Sequence, residues 1–195
     1  MNDLPIICLG GGPSLIGWDF NQLKDYYVVG CNSAYKLGPK IVDEIVFQDY
    51  AFHSKHREGL IKYWGDQGVI ITNNSSGAFR AKPYIKQVTK LRTRLSTDHE
   101  NLFWGGCVGH SAINRALLEA RDSNKQVLLL GFDHQQINKR NNWYTKRDKP
   151  DKFPSYEKGF DIIASSTAFD TKIINLNPDS KLEQFEKQRR EDYFG

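Results

Sequence analysis

The chain has 195 residues, of which 39% are hydrophobic, so it has the length of one domain with its own core and an ordinary globular composition. Its 27 basic and 23 acidic residues leave a net charge of +4, a balance that excludes a strongly basic or acidic class of protein. No apolar run approaches membrane-spanning length, the first residues do not resemble a signal peptide, and the three cysteines are widely spaced, so we expect a cytoplasmic protein with reduced thiols and no metal site.

The first predicted element is an apolar strand, Ile6–Leu9, that runs into a glycine-rich turn closed by Pro-Ser. Glycines allow unusual dihedral angles and let a ligand approach the main chain. Proline suits the first position of a helix, where free N–H groups and the helix dipole bind anions. The pattern therefore predicts a nucleotide phosphate on this turn, and the alternative is a plain tight turn. The predicted contacts are Gly10, Gly11, Gly12, Pro13 and Ser14.

Two common phosphate motifs are absent from this turn. A Walker loop requires Gly-Lys-Ser/Thr, which does not follow the glycines, so ATP hydrolysis of that type is disfavoured. In the dinucleotide fingerprint a third glycine stands where this chain has Leu15. The second predicted strand, Tyr27–Cys31, is followed by Asn32 instead of the acidic residue that binds a ribose in NAD enzymes. A mononucleotide or a nucleotide-sugar fits these residues better than NAD.

Further strands and helices alternate along the rest of the chain. Continuous apolar runs such as Val127–Leu130 are typical of strands buried on both faces of a parallel sheet. The other predicted strands are Glu44–Phe47, Val69–Thr72 and Lys172–Asn175, and the predicted helices are Asp19–Lys24, Ala51–Trp64, Gly109–Asp122, Tyr156–Ala168 and Lys181–Glu191. This order predicts a single α/β Rossmann-like domain over residues 1–195, with a mostly parallel sheet and helices on both faces.

Polar residues follow several of the predicted strands. Because ligands of open α/β sheets bind beyond the carboxyl ends of the strands, we expect Asn32, Asp49, Gly131 and Asp133 at the site. Asp133 would orient a sugar hydroxyl or act as a general base, and His134 would transfer a proton. The alternatives are a carboxylate that caps nearby backbone and an exposed loop histidine.

Two further groups have a ligand-binding and a structural interpretation. The turn before the predicted helix Gly109–Asp122 offers a second anion site at Gly109, His110 and Ser111, although a helix cap explains the last two equally well. Asp49, His53 and His56 lie at helical spacing and form a weak candidate metal group, for which an exposed polar face is the more common explanation.

Two basic stretches carry most of the asymmetry in charge. One runs from Lys82 to Arg94 without an acidic residue, and the other, from Lys139 to Lys152, contains Trp143 and Tyr144. Interleaved cations and aromatic rings bind a phosphorylated acceptor or nucleic acid, but they also occur in solvated loops. The loop at about 134–154 is long enough to be a lid or substrate loop.

An ordered series of motifs carries a family resemblance over nearly the whole chain. The series is Gly-Gly-Gly-Pro-Ser-Leu at 10–15, Gly-Cys-Asn at 30–32, Gly109 opening a helix, Leu-Leu-Leu-Gly-Phe-Asp at 128–133 and Asn-Leu-Asn-Pro-Asp-Ser-Lys-Leu at 175–182. It resembles the bacterial family 42 sialyltransferases and the related 6-hydroxymethylpterin pyrophosphokinase-like proteins, and is most similar to small phage-type members of that superfamily.

The resemblance implies a Rossmann-like fold and a cytidine nucleotide-sugar as substrate or ligand, with no tightly bound cofactor. It implies that Gly11, Gly12 and Ser14 hold the phosphate and ribose, and that Asn32 and the small turn at Val108 and Gly109 also contact the nucleotide. A phage-type member would act in the cytoplasm of its host, and a homo-oligomer is compatible with the sequence.

The chain also departs from the family pattern. Gly11 replaces an asparagine, Tyr144 stands in for one of two tyrosines, and the region of Pro154–Tyr156 lacks the general-base histidine. The sequence therefore favours a nucleotide-sugar-dependent glycosyltransferase-like enzyme, with Asp133, His134 and Tyr144 as catalytic candidates. Two alternatives remain, namely pyrophosphokinase-like chemistry and a non-catalytic protein that sequesters a nucleotide.

Overall fold

The structure is a computed structural model that describes residues 3–79, 81–145 and 153–194. Within these ranges its strands are β1 (Ile6–Leu9), β2 (Tyr27–Cys31), β3 (Glu44–Phe47), β4 (Val69–Thr72), β5 (Lys86–Gln87), β6 (Thr89–Leu91), β7 (Asn101–Phe103), β8 (Val127–Leu130), β9 (Ile173–Asn175) and β10 (Glu186–Lys187). The α-helices are α1 (Tyr50–Gly65), α2 (Val108–Ser123) and α3 (Glu157–Ala164), and short 3₁₀ helices cover Pro13–Leu15, Phe20–Leu23, Asn32–Leu37, Gly77–Phe79, Phe153–Tyr156 and Arg190–Asp192.

Eight strands form one sheet in the order β10-β9-β8-β1-β2-β3-β4-β5, while β6 and β7 form a separate pair. Every ladder between these strands is parallel. The chain builds the sheet outward from β1 in one direction and then returns to add β8 on its other side. The strand order therefore reverses between β1 and β8, which is where open α/β sheets bind ligands at their carboxyl ends.

The central strands are buried on both faces, as their continuous apolar sequences predict. Along β1, Ile6 and Cys8 face a core that α2 and α3 cover, while Ile7 and Leu9 face a core that α1 covers. Helix α2 contributes an apolar stripe to the first core, and α1 contributes Leu60 and Tyr63 to the second. The chain thus has an α/β Rossmann-like fold with helices on both faces of a parallel sheet, as predicted.

The elements predicted from the sequence agree best with the structure where they are long and apolar. The predicted strands match β1, β2, β3, β4 and β8, and helices α1 and α2 extend by one residue at each end beyond their predicted bounds. The predicted helix over Lys181–Glu191 is wrong, because Glu186 and Lys187 pair with β9 as the edge strand β10. The predicted helix over Asp19–Lys24 is a single 3₁₀ turn, and that over Tyr156–Ala168 ends at Ala164.

Among the described residues, no helix combines the length and hydrophobicity needed to cross a membrane. All three cysteines are free thiols, with Cys8 and Cys31 buried and Cys107 half-buried.

Candidate functional site

A cavity of about 410 Å³ opens at the carboxyl ends of the strands, where the strand order reverses between β1 and β8. The glycine turn lies on one side of it and the start of α2 on another. Of the predicted site residues, those that line the cavity are Gly10, Gly11, Gly12, Pro13, Asn32, Asp49, Gly109, Gly131, Asp133, His134 and Tyr144. Ser14, His110 and Ser111 do not line it.

The glycine turn offers fewer free N–H groups than its sequence predicts. Gly10 N donates to Leu130 O at 2.8 Å, and Gly12 N donates to Gly131 O at 2.7 Å. Gly131 must be glycine, because its φ is +74° and a Cβ would lie 2.5 Å from Leu15 Cδ1. The expected α-helix after Pro13 is only a three-residue 3₁₀ turn, so it adds little dipole. Gly11 N is the amide of this turn that has no acceptor among the described residues.

Asp133 joins the glycine turn to the end of β8. Its Oδ2 accepts from Ser14 N at 2.6 Å, and its Oδ1 accepts from Ser14 Oγ at 2.6 Å and from Asn177 Nδ2 at 2.8 Å. The residue is 1% exposed. Of the two interpretations left open by the sequence, this geometry favours a carboxylate that caps nearby backbone over a free general base.

This contact also explains why Gly12 has no side chain. A Cβ at Gly12 would lie 2.5 Å from Asp133 Cγ, so a larger residue would displace the carboxylate that holds the turn. At Gly11 a Cβ would lie 3.4 Å from the nearest atoms, both in Tyr144, which leaves room for a small side chain. Gly11 is therefore the better position at which to test contact with a ligand.

Asn32 presents an unsatisfied polar atom at the cavity. It follows β2 in the left-handed region, with φ +47°, a conformation that asparagine tolerates better than most residues. Its Oδ1 is buried and accepts no hydrogen bond. Because buried polar atoms are nearly always paired, this oxygen is a candidate acceptor for a ligand hydroxyl or amino group.

Helix α2 begins at the cavity wall and supplies a second group of donors. Val108 and Gly109 line the cavity, and the first N–H groups of a helix have no acceptor within it. Cys107 N donates to His110 Nδ1 at 3.3 Å, so His110 acts as a cap. Ser111 is fully buried, donates to Phe103 O and accepts from Gln48 Nε2, both at 2.6 Å. These contacts favour the helix-cap interpretation of His110 and a structural role for Ser111, and their contact with a ligand stays a prediction.

Burial sets the protonation of His110. Its pKa is lowered from an ordinary value of 6.5 to about 4, chiefly by desolvation; the charge of His134 adds to this shift, and a hydrogen bond with the Tyr156 backbone opposes it. Between pH 6.5 and 4 the unfolded chain takes up a proton at this residue and the folded chain does not.

The free energy of unfolding should therefore fall as the pH drops from about 6.5 towards 4. We expect urea unfolding at stepped pH to show this loss in the wild type and a smaller loss in His110→Gln. The more exposed His56 provides a control, since His56→Gln should retain most of the loss. Equal slopes in the wild type and His110→Gln would contradict the assignment.

His134 is a half-buried residue with a largely covered side chain rather than an exposed loop histidine. Its side chain is 8% exposed, its ring packs against Phe153 and Phe160, and its φ is +52°. Nε2 lies 3.9 Å from Glu157 Oε1 and has no hydrogen-bond partner. Burial lowers its pKa, while Glu157 and a hydrogen bond with Phe153 backbone raise it. The ring thus faces α3 and its preceding turn.

The segment predicted as a lid is attached to the glycine turn in its described part. Trp143 N donates to Gly11 O at 2.9 Å, Trp143 Nε1 donates to Gly10 O at 3.3 Å, and the indole packs against Phe20. Tyr144 lines the cavity beside Gly11, with Lys36 Nζ 5.9 Å from its ring centroid. Lys139 and Arg140 belong to the described part, whereas the predicted basic residues Lys146, Arg147 and Lys152 lie outside the described residues.

Asp49 precedes α1 at the cavity, but its side chain makes no cap hydrogen bond. The candidate metal group with His53 and His56 does not form. His53 Nε2 pairs with Tyr84 Oη, and His56 Nδ1 pairs with Tyr35 Oη, both at 3.0 Å. Throughout the part of the chain that the structure describes, no cluster of at least three His, Cys, Asp or Glu residues could hold a metal ion.

Trp104 is a cavity residue that the sequence analysis did not identify. It follows the short strand β7, and its backbone N–H donates to Leu91 O at 2.7 Å. The basic stretch between Lys82 and Arg94 gave an indirect signal, because Lys90 and Arg92 from this stretch lie over the Trp104 ring.

No family model and no curated protein matches the chain. A solved structure does match it, described as the sialyltransferase CstII from Campylobacter jejuni in complex with a substrate analogue, cytidine-5'-monophosphate. The match has a TM-score of 0.55 and 14% sequence identity, and it covers 96% of this chain and 86% of that chain. At this identity the likeness is one of fold, so the chain shares the α/β fold of that sialyltransferase.

Proposed function

We propose that the chain is a nucleotide-sugar-dependent glycosyltransferase-like enzyme that binds its nucleotide in the cavity between β1, β8 and the start of α2. The observation that carries this proposal is the convergence of free donors and an unsatisfied acceptor at the point where the strand order reverses. Gly11 N and the first amides of α2 suit a phosphate, and Asn32 Oδ1 suits a ribose or base. The structural neighbour was solved with cytidine monophosphate, which supports a cytidine nucleotide as the ligand.

The roles of the catalytic candidates follow from their contacts. Among the described residues two carboxylates line the cavity, and the one on Asp133 is occupied by Ser14 and Asn177. We assign Asp133 to holding the turn, His134 to positioning the segment around α3, and Tyr144 to covering the nucleotide. Asp49 is the lining carboxylate with an exposed side chain, and it is our candidate for the general base that accepts the proton of an acceptor hydroxyl.

Calorimetric titration with cytidine monophosphate tests the proposed nucleotide site. We expect Asn32→Ala to weaken binding by about 1–3 kcal/mol, because a ligand donor would lose its buried acceptor. Asn124→Ala is the matched control, since Asn124 has a similar φ of +53° but lies exposed at the carboxyl end of α2. Equal affinities for the wild type and both variants would move the nucleotide elsewhere.

A non-catalytic nucleotide-binding protein is the second candidate. The observation in its favour is that Asp133 is already paired with Ser14 and Asn177, and that His134 Nε2, although unpaired, is buried 3.9 Å from Glu157 Oε1. Incubation with a cytidine monophosphate sugar separates the two candidates. An enzyme would release cytidine monophosphate with turnover, whereas a sequestering protein would return the donor intact. A parallel incubation with ATP tests the pyrophosphokinase-like alternative, which requires that the protein binds ATP and turns it over.

A further inference from the structure

Two cations lie over the ring of Trp104, which lines the cavity. Lys90 Nζ is 4.6 Å from the centroid of the Trp104 ring, and Arg92 Cζ is 4.9 Å from it. The two residues are separated by one position at the end of β6, so their side chains project to the same side. Trp104 lines the cavity just before the turn that opens α2. Both positive charges are therefore held beside the start of α2.

The charges of Lys90 and Arg92 are not balanced by any carboxylate that the structure describes, unlike the charge of Lys86. In the same basic stretch, Lys86 forms an ion pair with Glu100 at 3.0 Å. Lys90 and Arg92 make no ion pair or hydrogen bond with any side chain among the described residues. Burial and the charge of Arg92 lower the pKa of Lys90, and Asp49 raises it. A bound anion would relieve the repulsion between the two cations.

We infer that Lys90, Arg92 and Trp104 form a subsite for the phosphate group of a small phosphorylated acceptor. This inference rests on the proposed function, because it places the acceptor next to the nucleotide and beside Asp49. The cation pair is local, because Lys86 in the same stretch is neutralised by Glu100. Two cations over one ring provide contacts for one phosphate group, whereas a nucleic-acid strand binds through cations spread along its length, so the geometry favours a single phosphate.

The test is a calorimetric titration of the purified protein, with and without saturating cytidine monophosphate. The probes are inorganic phosphate, glucose 6-phosphate and uncharged glucose. The wild type should bind both phosphates in the presence of the nucleotide and should not bind glucose. The double variant Lys90→Gln/Arg92→Gln should bind the phosphates at least about tenfold more weakly, because two charge-assisted contacts are lost. Its affinity for cytidine monophosphate should remain within about twofold.

Two further variants distinguish charge at this ring from charge in general. Arg94→Gln removes a cation from the same stretch that does not lie over Trp104, and it should bind the phosphates like the wild type. The exchange Lys90→Arg/Arg92→Lys keeps both charges and should retain binding. Thermal unfolding of each variant shows whether it is folded.

Several results would overturn the inference. The first is that the wild type, saturated with nucleotide, binds neither phosphate. The second is that Arg94→Gln weakens phosphate binding as much as the double variant does. The third is that the double variant loses more affinity for cytidine monophosphate than for the phosphate probes. Tighter binding of a thymidine decamer than of glucose 6-phosphate, with a steep salt dependence, would replace the small acceptor by a nucleic acid. If cytidine monophosphate does not bind but the phosphates still require Lys90 and Arg92, the proposed function fails and the anion subsite stands.

Discussion

Replacement of Asp49 with asparagine should lower the turnover of a cytidine monophosphate sugar about 100-fold, the range expected when a general base is removed. The amide keeps the shape of the side chain but cannot accept a proton. Asp49 is exposed at the cavity and its carboxylate caps no backbone group of α1, so the fold should not depend on it. Initial rates and calorimetry on the same preparation measure the two quantities, and the affinity for the nucleotide should change by less than about threefold.

Asp66 provides the matched control, because it is an exposed aspartate at the opposite end of the same helix. Asp66→Asn should have the rates of the wild type. A similar loss of rate in both variants would show a general effect of charge. Unchanged turnover in Asp49→Asn would reject Asp49 as the base and return His134 to consideration. With His134 as the base, the pH–rate profile of the enzyme should have an acidic limb below pH 6.5, the ordinary pKa of a histidine, because burial lowers the pKa of His134.

Replacement of Asp133 with alanine should lower the free energy of unfolding by about 3 kcal/mol or more and should also weaken nucleotide binding. The substitution leaves Ser14 N, Ser14 Oγ and Asn177 Nδ2 without their acceptor; Asn177 is buried and Ser14 is half-buried. Each buried donor left unsatisfied costs about 1–3 kcal/mol. Urea unfolding measures the loss of stability, and calorimetry with cytidine monophosphate measures the loss of affinity.

Asp179→Ala is the control for this substitution, because Asp179 lies on the same edge of the sheet but is exposed. Its stability should stay within about 0.5 kcal/mol of the wild type. The pattern that contradicts a positioning role is a stable Asp133→Ala protein that binds the nucleotide normally and has lost its turnover. That pattern would restore Asp133 as the general base.

The limits of the sequence-based site prediction are clearest at the glycine turn. The position of the turn was predicted, because a strand followed by three glycines and Pro-Ser is a local signal. Its hydrogen bonding was not, because the partners of Gly12 and Ser14 lie more than a hundred residues away, at Gly131 and Asp133. The expected row of free amides is thus reduced to the one on Gly11.

The basic stretch from Lys82 to Arg94 is a second place where the sequence could not predict the contacts of a side chain. Spacing showed that Lys86, Lys90 and Arg92 are neighbours, but it could not separate the lysine that pairs with Glu100 from the cations that lie over Trp104. That difference arises from the pairing of β6 with β7, two strands of three residues each, which are too short to show a hydrophobic period.

The amino-acid sequence by itself determined the α/β class, the bounds of the long strands and the placement of polar residues at strand ends. These features follow from the spacing of apolar residues and from turn residues, which act over a few positions. The tertiary structure decided which polar groups are already paired with one another and which remain free for a ligand. Asp133 is paired because the sheet places β8 between β1 and β9, whose following segments bring Ser14 and Asn177 to its carboxylate, whereas Asn32 Oδ1, after β2, has no partner among the residues that the structure describes. This strand order depends on contacts between distant segments.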